Sequence, residues 1–147
     1  MTAVVVDASL AVKWVLVEPY SLAAAALLKE WRDRDVRLTA PGLLAYEAAN
    51  ALFKRVRLGA MSAADAAIGL VGIMETVHDL DHDRFIHHRA LILAQQLSRP
   101  TPYDAHYLAP AEREGCECWT ADERLWNAVR GTLSYVRWIG EDQLKAV

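Results

Sequence analysis

The chain opens on TAVVVDAS, an apolar β-branched run too short to alternate, and no other feature constrains the fold as tightly. A strand apolar on both faces must be buried on both, so it belongs inside a parallel sheet with helices on either side. The run stops at Asp7. SLAVKWVL follows and reads as a short helix, and SLAAAALLKEWRDRD as a stronger one, rich in Ala and Leu and opening at a capping Ser21.

Strands and helices then alternate. Arg37 to Thr39 forms a brief second strand, and Pro41 and Gly42 turn the chain into the helix LLAYEAANALFKRVR, whose apolar residues nearly encircle it, as in a helix buried on more than one side. Gly59 closes that helix, and Ser62 opens another that runs to about Met74. A third strand lies near Thr76 to Leu80, and Asp81 caps a helix through about Leu97. Thr101 and Pro102 start a further helix ended by Gly115, CECWT is the fourth strand, Asp122 to Val129 a short helix, and SYVRWI the fifth strand. This order predicts an α/β fold of three layers, a central parallel sheet of about five strands covered by helices on both faces. With 147 residues and no repeat or linker, one domain over 1–147 is expected.

Composition narrows the function. Hydrophobic residues make up 54% of the chain and charged ones 24%, the balance of a packed globular protein. A net charge of −3 argues against gripping nucleic acid through a broad basic surface, so any such contact must be local. Lys54, Arg55 and Arg57 form one candidate patch, and Arg84, His87, His88 and Arg89 another. Cys116 and Cys118, one residue apart on a strand, are poorly placed for a disulfide, and no His stands at a zinc spacing from them. No apolar stretch is long enough for a membrane span, and no leader pattern precedes the first strand; a cytoplasmic, reducing setting is expected.

In open parallel sheets, sites form at the carboxyl ends of strands, and the predicted topology delivers four acids there. Asp7 ends the first strand and Asp122 follows the fourth. Glu47 lies early in the helix leaving the second strand, and Asp104 in the first turn of a helix that runs toward the fourth strand's amino end. Four converging carboxylates repel one another unless a cation neutralises them, and an all-oxygen set suits Mg²⁺ or Mn²⁺. Such a site suits phosphodiester hydrolysis through activated water. Ser9, Asn50 and Thr120 are placed to orient the carboxylates or bound water. Each Asp also has an ordinary explanation as a helix cap, and TPYD at 101–104 and TADE at 120–123 both match the capping-box pattern.

VVVDAS, YEAANAL, TPYDAHYLA and CECWTADERL, in that order and spacing, resemble the PIN domain of VapC-type toxins over essentially the whole chain. The resemblance implies an endoribonuclease dependent on Mg²⁺ or Mn²⁺, with Asp7, Glu47, Asp104 and Asp122 as its acidic site and Ser9, Asn50 and Thr120 in support. It also implies RNA as substrate, transfer RNA among the structured targets common in the family, a homodimer, and a separate antitoxin protein as inhibitor. One departure is Pro110, which interrupts the helix carrying Asp104 and predicts a kink that leaves the site intact.

Other readings remain open at this level: a PIN nuclease of general RNA processing without an antitoxin, or an RNA-binding domain that keeps the fold without cutting. A phosphoryl-transfer domain with Asp7 as nucleophile is disfavoured, because Ser9 stands where its second Asp would be. His78 and His82 have a helical metal spacing but fall on different predicted elements, and the five tryptophans each sit among apolar residues, as core or interface side chains do.

Overall fold

The computed structural model describes residues 2–141, so residues 1 and 142–147 at the two ends of the single-domain reading lie outside it. Five strands form one sheet in the order β3-β2-β1-β4-β5, with β1 at Ala3–Val6, β2 at Arg37–Pro41, β3 at Asp79–Asp81, β4 at Glu117–Thr120 and β5 at Val136–Trp138. All four pairings are parallel. Val5 and Val6 of β1 are fully buried, as a strand with apolar side chains on both faces requires.

Helices cover both faces: α1 (Ala8–Ala11), α2 (Ser21–Asp33), α3 (Leu43–Arg57), α4 (Ala63–Thr76), α5 (Phe85–Gln96), α6 (Ala105–Glu114) and α7 (Glu123–Val129). Trp31, Trp126 and Trp138 are buried, and Trp14 and Trp119 pack against the same core. Both cysteines are free. No described helix is long and apolar enough to cross a membrane.

Several boundaries differ from the sequence reading, each for a local reason. Ser21 does not cap α2; its hydroxyl donates to the Leu16 carbonyl and accepts from the Glu18 amide, tying down the loop, while Tyr20 (φ 69°) precedes the helix. Residues 12–14 tighten into a 3₁₀ turn rather than prolonging α1. Thr76 belongs to α4, with its hydroxyl on the Gly72 carbonyl, so β3 begins three residues later than expected. Asp81 is therefore the last residue of β3 rather than a cap, and α5 starts at Phe85, whose amide binds the Asp83 carboxylate.

On α3 the buried residues are Leu44, Ala48 and Leu52, a single stripe, whereas Tyr46 and Phe53 are 77% and 58% exposed; the helix is not buried all round. Residues 101–104 are turns, so α6 begins after Asp104 rather than at Thr101. α6 runs unbroken through the buried Pro110. The site-bearing Asp104 lies well before the proline, where loss of the amide at 110 does not reach it.

Candidate active site

The chain lays down β1, β2 and β3 outward on one side, then returns to place β4 on the other side of β1. The carboxyl ends of β1 and β4 thus flank the point where strand order reverses, the usual crevice of an open parallel sheet. Asp7 stands there. Its amide donates to the Trp119 carbonyl at 3.1 Å, which fixes it beside the end of β4.

The Asp7 carboxylate is 6% exposed and accepts from everything around it. One oxygen takes the Ser9 hydroxyl at 2.7 Å and the Leu10 amide at 3.1 Å, so Asp7 also caps α1. The other takes the Thr120 hydroxyl. Thr120 Oγ1 accepts the Asp122 amide at 2.9 Å, and Ser9 Oγ accepts the Ala121 amide at 3.0 Å, knitting the ends of β1 and β4 together. Burial raises the Asp7 pKa from 3.8 to about 7, against the hydrogen bonds, and the nearby charge of Asp104 adds to the rise.

Glu47 lies at the start of the second turn of α3, half-buried, and accepts the Tyr107 hydroxyl at 2.5 Å. Burial raises its pKa too; the Tyr107 bond and His106 oppose the rise, and Asp104 adds to it. The charge of Asp104 thus bears on both Asp7 and Glu47. Its own carboxylate is held by Arg99 at 3.0 Å. Asp122 is engaged elsewhere, accepting the Arg124 and Leu125 amides at 2.9 and 3.3 Å as the cap of α7.

Each acid is thus already satisfied by a neighbour. Among the described residues, no three His, Cys, Asp or Glu side chains are arranged to hold a metal ion. The donor chemistry, carboxylate and hydroxyl oxygens without sulfur, is of the kind a hard divalent cation takes. A coordination shell is not preformed.

A groove of about 450 Å³ opens beside these acids, lined by Ser9, Glu47, Asn50, Lys54 and Arg55 together with Glu18. Asn50 is exposed within it. Arg55 is held by Glu18 at 2.5 Å, and Lys13 binds the same carboxylate at 2.9 Å, whereas Lys54 has no ion pair among the described residues. Arg57 lies farther along α3, outside the groove. In the second basic patch, Arg89 is committed to Glu112 by two bonds of 2.6 Å.

Sequence reasoning missed Tyr107 and Arg99, which hold Glu47 and Asp104. Tyr107 has a legible signal, a polar-tipped residue one turn after Asp104 in the otherwise apolar run YLAPA. Arg99 has none, since it approaches Asp104 across the turn from 97 to 104.

No family model matches the chain, and no curated protein does. Among solved structures the chain is similar to the crystal structure of PAE2754 from Pyrobaculum aerophilum, with 28% sequence identity, 90% of each chain covered and a TM-score of 0.65. Taken with the five-stranded parallel sheet and its two helical layers, that likeness makes the architecture PIN-like.

Proposed function

We propose that this protein is a PIN-fold ribonuclease of the RNA-processing kind, hydrolysing RNA phosphodiester bonds at the edge where Asp7, Glu47 and Asp104 meet. The observation that carries the reading is the place of Asp7, at the switch point of a PIN-like sheet beside a groove that Ser9 and Glu47 line. Asp7, Glu47 and Asp104 are the residues that would hold Mg²⁺ or Mn²⁺ once their present partners give way, and the ion would supply an activated water and charge neutralisation at phosphate.

The protein's own contribution is positional. Ser9 and Thr120 fix the orientation of both Asp7 oxygens, and Tyr107 does the same for Glu47. Arg99 balances Asp104 until a cation competes for it. Lys54, free of ion pairs among the described residues, is the groove residue available to an RNA phosphate, while Asn50 offers an amide beside Glu47. The toxin form of this reading, with a homodimer and an antitoxin, rests on the motif resemblance and is decided by whether a small adjacent gene encodes a binding partner.

A second reading, RNA binding without cleavage, is favoured by one observation: every acid is engaged by a protein neighbour and none belongs to a group ready for metal. Incubating mixed cellular RNA with the protein and Mg²⁺ or Mn²⁺, beside Asp7→Asn and an EDTA control, separates the two. Discrete fragments lost in both controls support the nuclease. Intact RNA that nonetheless shifts with the protein in a gel supports the binding domain.

A further inference from the structure

A second cleft, of about 250 Å³, opens between the start of α3, the β3–α5 turn and the start of α6. Its floor is apolar, Pro41 and Ile86, and its walls are flat rings: Tyr46, His82, His87 and His106. It lies near Glu47, whose carboxyl feels the His106 that lines it. Tyr46 is 77% exposed. Burial in the core does not explain Tyr46, the strongly exposed aromatic side chain that lines the cleft.

The ring edges are ordered. His106 Nδ1 lies 2.7 Å from the Pro102 carbonyl, which only accepts, so this nitrogen carries the proton. His106 Nε2 lies 3.0 Å from His87 Nδ1, so one proton is shared between the two rings and His87 Nε2 is left free of a protein partner at the cleft. His82 lies so close over Gly42 that a Cβ there would come within 2.7 Å of its ring, and only glycine permits this approach. The acids of the cleft, Asp81 and Asp83, are both bound by Arg113. Two carboxylates against one guanidinium leave the cleft without the positive charge that a phosphate seeks, while its rings and apolar floor suit a flat neutral group.

We propose that this cleft receives an unpaired nucleobase of the RNA strand next to the scissile phosphate, stacked on Tyr46 and met at its edge by His87. The inference rests on the ribonuclease reading above and adds a subsite to it. A strand so bound runs from Lys54, past Glu47, into the cleft. Base-paired RNA cannot present such a base, so the cleft selects single-stranded or looped RNA.

The test uses a fluorescent single-stranded RNA of about ten nucleotides and its duplex form, binding measured by anisotropy in EDTA and cleavage with Mn²⁺. Tyr46→Ala is expected to weaken single-strand binding and raise KM by about tenfold with kcat little changed, while Tyr46→Phe stays within about twofold of the parent. Duplex binding is expected to be the same for all three. Because Tyr46 is exposed, loss of the fold is not the expected cause, and an unchanged circular dichroism spectrum verifies this. If the parent binds and cuts RNA but Tyr46→Ala and Tyr46→Ala/His87→Ala bind single strands as well as it does, the base subsite is wrong and the nuclease reading stands. If the parent neither binds nor cuts, both fall.

Discussion

Replacing Asp7 by Asn should stabilise the metal-free protein above neutral pH and not in acid, by an amount that depends on pH in a calculable way. The Asp7 carboxyl titrates at about 7 when folded and at 3.8 when exposed. Between these values the folded state keeps a proton that the unfolded chain has lost, so the parent's stability falls as pH rises and levels off above 7. At about 1.4 kcal/mol per pH unit, the fall amounts to about 4 kcal/mol between pH 4 and pH 8. Asn escapes this loss but meets its own cost. Its amide faces Thr120 Oγ1, which already accepts the Asp122 amide and lies 3.2 Å from Ser9 Oγ, so about 1–2 kcal/mol of hydrogen bonding is lost. The variant should therefore be slightly less stable than the parent near pH 4 and about 2–3 kcal/mol more stable at pH 8. Urea unfolding in EDTA, followed by the fluorescence of the five tryptophans, measures both ends. Magnesium at about 100 times its Kd should then add about 2.7 kcal/mol to the parent alone and bring the two to about equal stability at pH 8. A difference that stays constant from pH 5 to 8, or an Asn variant less stable at pH 8, would refute the burial argument.

Tyr107→Phe removes the one hydrogen bond that lowers the Glu47 pKa, so that pKa should rise further, and divalent cation affinity should fall more at pH 6 than at pH 8 by calorimetric titration. Arg99→Gln frees Asp104 from its guanidinium; the melting temperature should drop, by the equivalent of about 1–3 kcal/mol, while affinity for Mn²⁺ rises severalfold, and a fall in affinity would show that Arg99 positions rather than competes. Arg55→Ala should destabilise the fold slightly through loss of its bond to Glu18 yet leave the salt dependence of RNA binding unchanged, whereas Lys54→Ala should lower the slope of log affinity against log salt by about one. Pro110→Ala should change Mn²⁺ affinity by less than about twofold, since α6 is already continuous through residue 110.

The sheet was legible in the sequence because its strands carry their own signal. VVV and CECWT are apolar runs bounded by polar turns, and each strand lies where its run does. What was misplaced lies in the connections. Ser21 and Asp81 look like caps by residue type, but a hydroxyl or carboxylate satisfies whichever backbone amide the tertiary path brings near, and here those were Glu18 and Asp83. The β3 boundary slipped because Thr76, with a β-branched side chain that favours a strand, instead bonds back to Gly72 and extends the helix.

The acids divide along the same line. Asp7 could be placed from the sequence alone, because a strand end in a parallel sheet determines an edge, and an internal strand determines which crevice. Asp122 lies at the same edge by the same rule, yet its carboxylate caps α7, the ordinary role its position also allowed. Edge placement therefore establishes proximity and not orientation. Orientation came from partners distant in sequence: Tyr107 reaches Glu47 across 60 positions and Thr120 reaches Asp7 across 113. These contacts hold the acids in place at the cost of occupying their lone pairs, so a metal must displace protein donors to bind. Cation binding at this site should consequently be weaker than the number of carboxylates suggests, and should tighten when a competing donor such as Arg99 is removed.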